Sequence, residues 1–460
     1  MVNNLILKSD SYKSSHWKQY PPKTQGMMSY IEARAGSHLL FYGLQIFIKD
    51  HLLNPITQKD IDQAAIFFAS HGEPFNREGW EYILKTYNGF MPVIIKAVPE
   101  GTVLRNSNVL LTIECTDPKC FWIASFLETA LLRAIWYPSS VATISYDCKQ
   151  TIKKYLELTS DDQDQVMFKL HDFGARGVSS SESAGIGGSA HLVNFMGSDT
   201  VEGILYANEY YNCAMAGFSI PASEHSTITS WGQDKEVEAY RNMLQQYGGP
   251  GNIVACVSDS YNIFNACEMW GTELKEEVIN MGGTLVIRPD SGDPAQTVAR
   301  CVEILMKHFG FTINSKGYKV LPSCVRVIQG DGINRDSIEE ILSLLKWKGF
   351  AADNVGFGMG GALLQHSNRD TFGFAMKCCA ILIDGEWQDV FKIAPGKNSK
   401  KGRLTLIETN EGLTTCRLDE VGNEVIALKE VFKLDDYNNI PIVRTITFEE
   451  VIVNTEKGIQ

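Results

Sequence analysis

Thr284-Leu-Val-Ile-Arg-Pro-Asp-Ser-Gly-Asp-Pro294 sets a strand, a turn and a helix start side by side. An apolar, β-branched run stops at Arg288. A turn of Pro, Asp, Ser and Gly follows, and Pro294 then opens a helix with Asp293 as its cap. The same order recurs through the second half of the chain. Val166-Met-Phe-Lys-Leu170 reads as a strand leading into His171-Asp-Phe-Gly-Ala-Arg-Gly177. Ile253-Val-Ala-Cys-Val257 leads into Ser258-Asp259-Ser260, with a helix from Tyr261. Val325-Arg-Val-Ile328 leads into Gln329-Gly-Asp-Gly332, ahead of a helix whose capping box is Asp336 with Glu339. Asn354-Val-Gly-Phe357 leads into the glycine turn Gly358-Met-Gly-Gly361.

Strands separated by helices imply parallel pairing, because parallel neighbours need long crossovers. Ligands of such sheets bind at the carboxyl ends of the strands, which is where Asp, Arg and Gly collect here. The expected fold class is α/β: an irregular α/β barrel over residues 140–374 as the catalytic domain, with an open doubly wound sheet as the alternative. Residues 1–139 and 375–460 read differently. They mix helices with short strands around Pro92–Val98, Ile381–Asp384, Arg403–Leu406 and Thr445–Thr447. These flanks are expected to pack together as a second, α+β domain.

The 460 residues are 44% hydrophobic and 21% charged, a globular composition with a formal net charge of −12. That charge argues against a nucleic-acid partner, though local Lys and Arg can still reverse the field within one cleft. The apolar stretch Phe121–Trp136 is broken by Glu128 and Arg133 and reads as a buried helix, not a membrane span. Met1–Asp10 has no signal-peptide pattern. Eleven scattered Cys without a C-x-x-C pair point to reduced thiols and a cytoplasmic setting.

The strand-end clusters supply Arg176 and Arg288, the carboxylates Asp199, Asp259, Asp290 and Asp331, and the flexible glycine backbone at Gly330 and Gly358 to Gly361. Guanidinium groups bind phosphate in a planar fork, and glycine N–H groups approach phosphate oxygens closely. Carboxylates hold sugar hydroxyls or the waters around Mg²⁺. The set suits a phosphorylated sugar, although turns at strand ends are rich in Asp and Gly for purely structural reasons. Asp172-Phe-Gly174 has no kinase catalytic loop with it, and no phosphate-binding G-x-x-x-x-G-K-S/T loop occurs. His225, in Pro221-Ala-Ser-Glu-His-Ser226, is either a hydrogen-bonded turn residue or a nucleophile. Lys392, Lys397, Lys400, Lys401 and Arg403 form a basic stretch, read as solvated surface or as a phosphate gate.

Taken in order, Asp10-Ser-Tyr-Lys13, Lys169-Leu-His-Asp-Phe-Gly174, Arg176-Gly-Val-Ser-Ser180, Ala184-Gly-Ile-Gly187, His191-Leu-Val-Asn194, Glu224-His-Ser-Thr-Ile228, Ser258-Asp-Ser-Tyr261, Ile287-Arg-Pro-Asp-Ser-Gly292, Arg326-Val-Ile-Gln-Gly-Asp-Gly332 and Ser399-Lys-Lys-Gly-Arg403 resemble the type II phosphoribosyltransferases in their nicotinamide-using branch. The resemblance covers nearly the whole chain. It implies an irregular α/β barrel plus a second domain, in a homodimer with shared active sites. The implied substrates are nicotinamide and 5-phosphoribosyl 1-pyrophosphate with Mg²⁺, with ATP as a coupling substrate through a phosphohistidine at His225.

Residue by residue, it implies that Phe173 and the partner subunit's Tyr12 stack on nicotinamide, that Asp199 takes its carboxamide N–H₂, and that Arg288 contacts the carboxamide oxygen or a phosphate. Asp290 and Asp331 would hold ribose and hydrated Mg²⁺, and Gly330, Gly360 and Gly361 the 5′-phosphate. Arg34, Arg176, Arg369, Lys377 and Lys392 would neutralise phosphates, and Asp259 would stand with the phosphate-binding group. Ala375, Met359 and Ala175 depart from the family pattern, and the basic loop is shorter. Nicotinate as the base, or phosphosugar binding without turnover, are the alternatives.

Overall fold

The computed structural model describes residues 4–393, 399–435 and 437–460. Lys397, part of the basic stretch, lies outside them. The chain divides into two compact units: Ile144–Asn208 with Ala214–Ser367, and Met1–Thr143 with Glu209–Cys213 and Asn368–Gln460.

In the first of these, six parallel strands lie in the order Gly197–Ser198, Leu170–Asp172, Val355–Met359, Val325–Gln329, Thr284–Arg288, Ile253–Val257. The sheet does not end in two free edges. Phe218 bridges to Gly197 at one edge, and Ala222, four residues on, bridges to Ala255 at the other. The Phe218 and Ser198 N–H groups donate to Met196 and Phe218 carbonyls, and the Ala255 and Ser223 N–H groups to Pro221 and Ala255. One short segment thus joins both edges and closes the sheet into an irregular α/β barrel, which rules out the open doubly wound alternative. Closure satisfies edge N–H and C=O groups that would otherwise face solvent or aggregate.

The helices between the strands include Ser181–Leu192, Ile263–Gly271, Pro294–Phe309 and Arg335–Trp347. Asp293 caps Pro294–Phe309, its Oδ1 accepting from the Gln296 N–H at 2.8 Å. Asn262 caps Ile263–Gly271, so that helix starts two residues after Tyr261. Three local readings are corrected. Val166–Leu170 is not a strand: Asp164–Phe168 forms a 3-10 turn, and pairing begins at Leu170. The cap of Arg335–Trp347 is Asn334, whose Oδ1 accepts from Asp336 and Ser337 N–H groups, so Asp336 sits inside the first turn. Gly358 and Met359 belong to the last strand, and the glycine turn begins at Gly360.

The second unit is built on a seven-stranded antiparallel sheet, ordered Glu386–Asp389, Ala375–Ile383, Thr24–Glu32, Val109–Cys115, Val93–Ala97, Lys429–Leu434, Pro441–Val443. Strands from the two flanks therefore share one sheet. Its core joins residues such as Met27, Ile31, Ile95, Ile113 and Phe432 to Trp80, Trp122 and Phe126. Thr445–Thr447 is not a strand. Thr447 caps the helix Phe448–Glu456 in a capping box with Glu450. All eleven Cys are free, and no described helix is long and apolar enough to cross a membrane.

The reassigned cap is directly testable. Asn334→Ala is expected to cost about 1 kcal/mol of stability, the usual loss for an N-cap. Asp336→Ala should cost well under half of that. Urea midpoints of the two variants check the order.

Candidate active site

Phe173 follows the strand Leu170–Asp172, and its N–H donates to the Met359 carbonyl at 3.0 Å, which extends the pairing by one residue. Its ring then packs against the neighbouring strand where Gly358 has no side chain: a Cβ at Gly358 would meet ring carbons at 2.0 and 2.2 Å. Gly330 faces the same cluster. A Cβ there would meet Asp290 Oδ1 at 2.9 Å, with Arg288 Cδ and the Phe173 ring just beyond. The absence of a side chain at Gly358 makes room for the ring, and Arg288 and Asp290 gather beside it around Gly330.

A polar relay continues from Asp290. The side chain of Asp259, 4% exposed, offers Oδ2 to the Asp290 N–H at 3.1 Å and to the Ser291 hydroxyl. Its Oδ1 meets His225 Nε2 at 3.0 Å, and His225 is about half exposed. A carboxylate at Nε2 favours the tautomer with the proton there and leaves the lone pair on Nδ1. Arg288 Nη2 stands 3.8 Å from Asp290 Oδ2. Burial raises Asp290 above the usual carboxylate range, opposed by Arg288 and reinforced by Asp259. Arg288 Nε, Ser260 Oγ and Gln329 Oε1 are buried without a partner among the described residues. Such orphaned groups beside a polar cluster suit a polar ligand.

Beneath this cluster a cavity of about 370 Å³ runs along the barrel interior. Ile253 and Ala255, and Val286 and Arg288, line it at alternating strand positions, together with Arg326, Val327, Ile328, Val355 and Gly356. Phe173, Asp199, Ser219 and Arg288 line its carboxyl end. At the other end, the buried Lys169 donates to Ala352, Asp353 and Val355 carbonyls at 3.0–3.2 Å, and burial lowers it to about 7.

Asp199 accepts from the Ser219 hydroxyl, and its N–H donates to the Asp172 carbonyl at 3.0 Å. Asp172 is fully buried. Its Oδ1 accepts from the Gly174 N–H at 2.7 Å, bracketing Phe173, and burial raises it to about 6.

The barrel unit thus brings Phe173, Asp199, His225, Asp259, Arg288, Asp290, Gly330, Asp331, Gly360 and Gly361 to the carboxyl ends of its strands. Arg176 lies exposed in the turn Ala175–Gly177 after the first of them. Tyr12, Arg34, Arg369, Lys377 and Lys392 belong to the other unit. There Tyr12 is 55% exposed on the turn Ser11–Lys18, which a Lys13–Glu128 ion pair anchors. Arg369 pairs with Asp370 at 2.9 Å, Lys377 projects from Ala375–Ile383, and the Lys392 N–H donates to Ser399 Oγ.

Sequence reasoning missed Ser219, Asp172 as a buried carboxyl, and the steric need for Gly358. The two glycines on either side of Phe357 in Val355-Gly-Phe-Gly358 were the available signal for the last of these. Among the described residues no three His, Cys, Asp or Glu side chains converge as a metal site. Asp290 is half-buried and Asp331 exposed at these strand ends.

These features have counterparts in known proteins. Residues 168–436 match the nicotinate phosphoribosyltransferase family, and residues 4–95 the N-terminal domain of nicotinamide phosphoribosyltransferase. The chain belongs to the nicotinate phosphoribosyltransferase family. Within it, similarity is high to nicotinamide phosphoribosyltransferases: 55% identity to that of Xanthomonas campestris, covering 98% of this chain and 97% of that protein. The one from Acinetobacter baylyi is 31% identical, covering 88% of each. The fold matches the crystal structure of nicotinate-nucleotide pyrophosphorylase from Pyrococcus furiosus, with a TM-score of 0.64 at 16% identity over 99% of this chain and 96% of that one. Human nicotinic acid phosphoribosyltransferase aligns with a TM-score of 0.56 at 14% identity, over 98% and 94%.

Asp172 gives the site a pH signature. A carboxyl whose native pKa lies above its unfolded value binds its proton more tightly when folded, so it favours the native state at low pH. That contribution is lost as pH rises from about 4 through about 6. The stability difference between wild type and Asp172→Asn is expected to shift by about 2–3 kcal/mol in favour of the variant between pH 4 and pH 7.5. Denaturant titrations at both pH values check this, and a pH-independent difference would contradict it.

Proposed function

We propose that the protein transfers a phosphoribosyl group from 5-phosphoribosyl 1-pyrophosphate to nicotinamide, giving nicotinamide mononucleotide and pyrophosphate, a step of NAD salvage. One observation carries the reading: an aromatic face held over a glycine opens onto a cavity whose mouth also bears Asp199 and Arg288. A flat heteroaromatic ring stacks on Phe173, a contact worth about 0.5–1.5 kcal/mol beyond area burial. Asp199 accepts from the carboxamide N–H₂, and Arg288 donates to the carboxamide oxygen or to a phosphate.

As the bond from C1 to pyrophosphate breaks, positive charge develops on the ribose and negative charge on the leaving group. The carboxylates Asp290 and Asp331 hold the ribose hydroxyls while Gly330, Gly360 and Gly361 present backbone to the 5′-phosphate. Arg176, Arg34, Arg369, Lys377 and Lys392 neutralise phosphate charge. Mg²⁺, when bound with the substrate, adds electrostatic stabilisation of the leaving pyrophosphate. The ring nitrogen of nicotinamide carries no proton, so its attack on C1 needs no general base. We place the reaction in the cytoplasm, in a homodimer whose sites are shared, with Tyr12 of the partner subunit on the second face of the ring.

ATP enters through His225. Its Nδ1 lone pair takes the γ-phosphoryl group with release of ADP, while Asp259 stabilises the imidazolium that forms; water then cleaves the phosphohistidine. The family's name raises nicotinate as the second base. Asp199 disfavours it, because two carboxylates would meet with no proton between them.

Product formation from each base, with and without ATP, tests the reading. Nicotinamide mononucleotide is expected from nicotinamide. Turnover of nicotinate alone would contradict the role given to Asp199, and no product from either base would contradict the reaction. Asp199→Asn is expected to lower the nicotinamide-to-nicotinate ratio of kcat/KM at least tenfold, read in the same assay. His225→Ala should retain basal transfer but lose ATP stimulation and acid-labile phosphate on the protein. Phosphate persisting on that variant would place the modification elsewhere.

A further inference from the structure

Within the unit of Met1–Thr143 and Asn368–Gln460, one acidic side chain is buried among cations. Glu32 ends the strand Thr24–Glu32, and its side chain is 2% exposed. Its Oε1 accepts from Arg34 Nε at 2.6 Å, and its Oε2 from Lys400 Nζ. The Tyr30 hydroxyl closes the cluster, 3.4 Å from Glu32 Oε1, and accepts from the Lys400 N–H at 2.9 Å. Burial, then Glu32, push that phenol up to about 12, so it remains protonated as a donor.

The backbone aims the cluster. The register against Val109–Cys115 slips between Ile31 and Glu32, an irregularity that turns the strand end. The Arg34 and Ala35 N–H groups then both donate to the Phe372 carbonyl, tying this end to the segment that bears Arg369. Lys377, exposed, lies across from Tyr30 in the neighbouring strand. One carboxylate thus holds two cations.

We infer that Glu32 is a positioning residue for the reaction: it holds the Nε edge of Arg34 and the Lys400 end of the basic stretch so that Arg34 presents its remaining guanidinium edge to substrate phosphates. Two observations and one general argument support a role beyond packing. Arg34 Nη2 is buried and has no partner among the described residues, although the Nε edge of the same group is bonded. A lone carboxylate between two cations leaves the cluster with a net positive charge, suited to an anion. Immobilised Arg and Lys lose less side-chain entropy when a phosphate binds. The inference rests on the reading of Arg34 as a phosphate-binding residue.

Steady-state kinetics of Glu32→Gln, Arg34→Ala and the double variant test it on the full-length protein, with thermal midpoints measured alongside. Glu32→Gln is expected to raise KM for 5-phosphoribosyl 1-pyrophosphate about tenfold and to leave KM for nicotinamide within twofold. The double variant should be no worse than Arg34→Ala alone, since Glu32 acts through that side chain. Glu32→Asp, which keeps the charge on a shorter stem, should recover part of the loss and serves if the Gln variant does not fold. An unchanged phosphosugar KM in Glu32→Gln, a parallel rise in both KM values, or multiplying effects in the double variant would overturn the inference while leaving the reaction standing. An inert Arg34→Ala would instead overturn the placement of Arg34 at the phosphates, and the inference with it.

Discussion

The barrel depends on one short segment. Phe218 and Ala222 lie only four residues apart, yet they bridge to strands at opposite edges of the parallel sheet. Without that closure the edge strand Ile253–Val257 would expose an unpaired ladder, and Ser258 and Asp259, which follow it, would lose their support. The segment also brings Ser219 to Asp199 and leads by way of Ser223, whose hydroxyl accepts from the Val257 N–H, to His225. Backbone pairing and the placement of the candidate site residues are therefore one construction.

A second constraint works at the level of single atoms. Phe173 can lie where it does because Gly358 has no Cβ, and Asp290 Oδ1 comes close to Gly330, where a Cβ would crowd it. The floor of the site is made of backbone. Buried carboxylates then divide the work: Asp259 orients His225, while Asp172 holds the loop around Phe173 and, with burial as the main cause, retains its proton to about pH 6.

The barrel was legible because its signals are local. Strand, polar turn and capped helix follow one another in the chain, and Pro294 behind Asp293 is an unambiguous start. Errors arose where neighbouring choices compete for the same backbone. Asn334 and Asp336 are both good caps, and only geometry shows that Asn334 bonds two N–H groups. Ser219 was invisible because it sits in an irregular stretch, and its partner Asp199 lies 20 residues away. The Glu32 cluster was hidden for the same reason on a larger scale, since Lys400 is 368 residues from it. The family motifs pointed to Phe173, Asp199, His225 and Arg288, which the fold sets at the strand ends; no pattern of spacing could have paired them.

The seven-stranded sheet also bears on how the chain is made. Its three inner strands, Thr24–Glu32, Val109–Cys115 and Val93–Ala97, leave the ribosome early, but both flanks of that trio are covered only by Ala375–Ile383 and Lys429–Leu434. At ordinary translation speeds of roughly 5–20 residues per second, the first uncovered edge waits about ten seconds to a minute for its neighbour. The whole barrel unit emerges in that interval. The barrel unit ends only at Ser367, so for most of that interval the nascent chain is a growing barrel tethered to a half-built sheet with two sticky borders, the state in which a chaperone, or a second nascent copy, would find it.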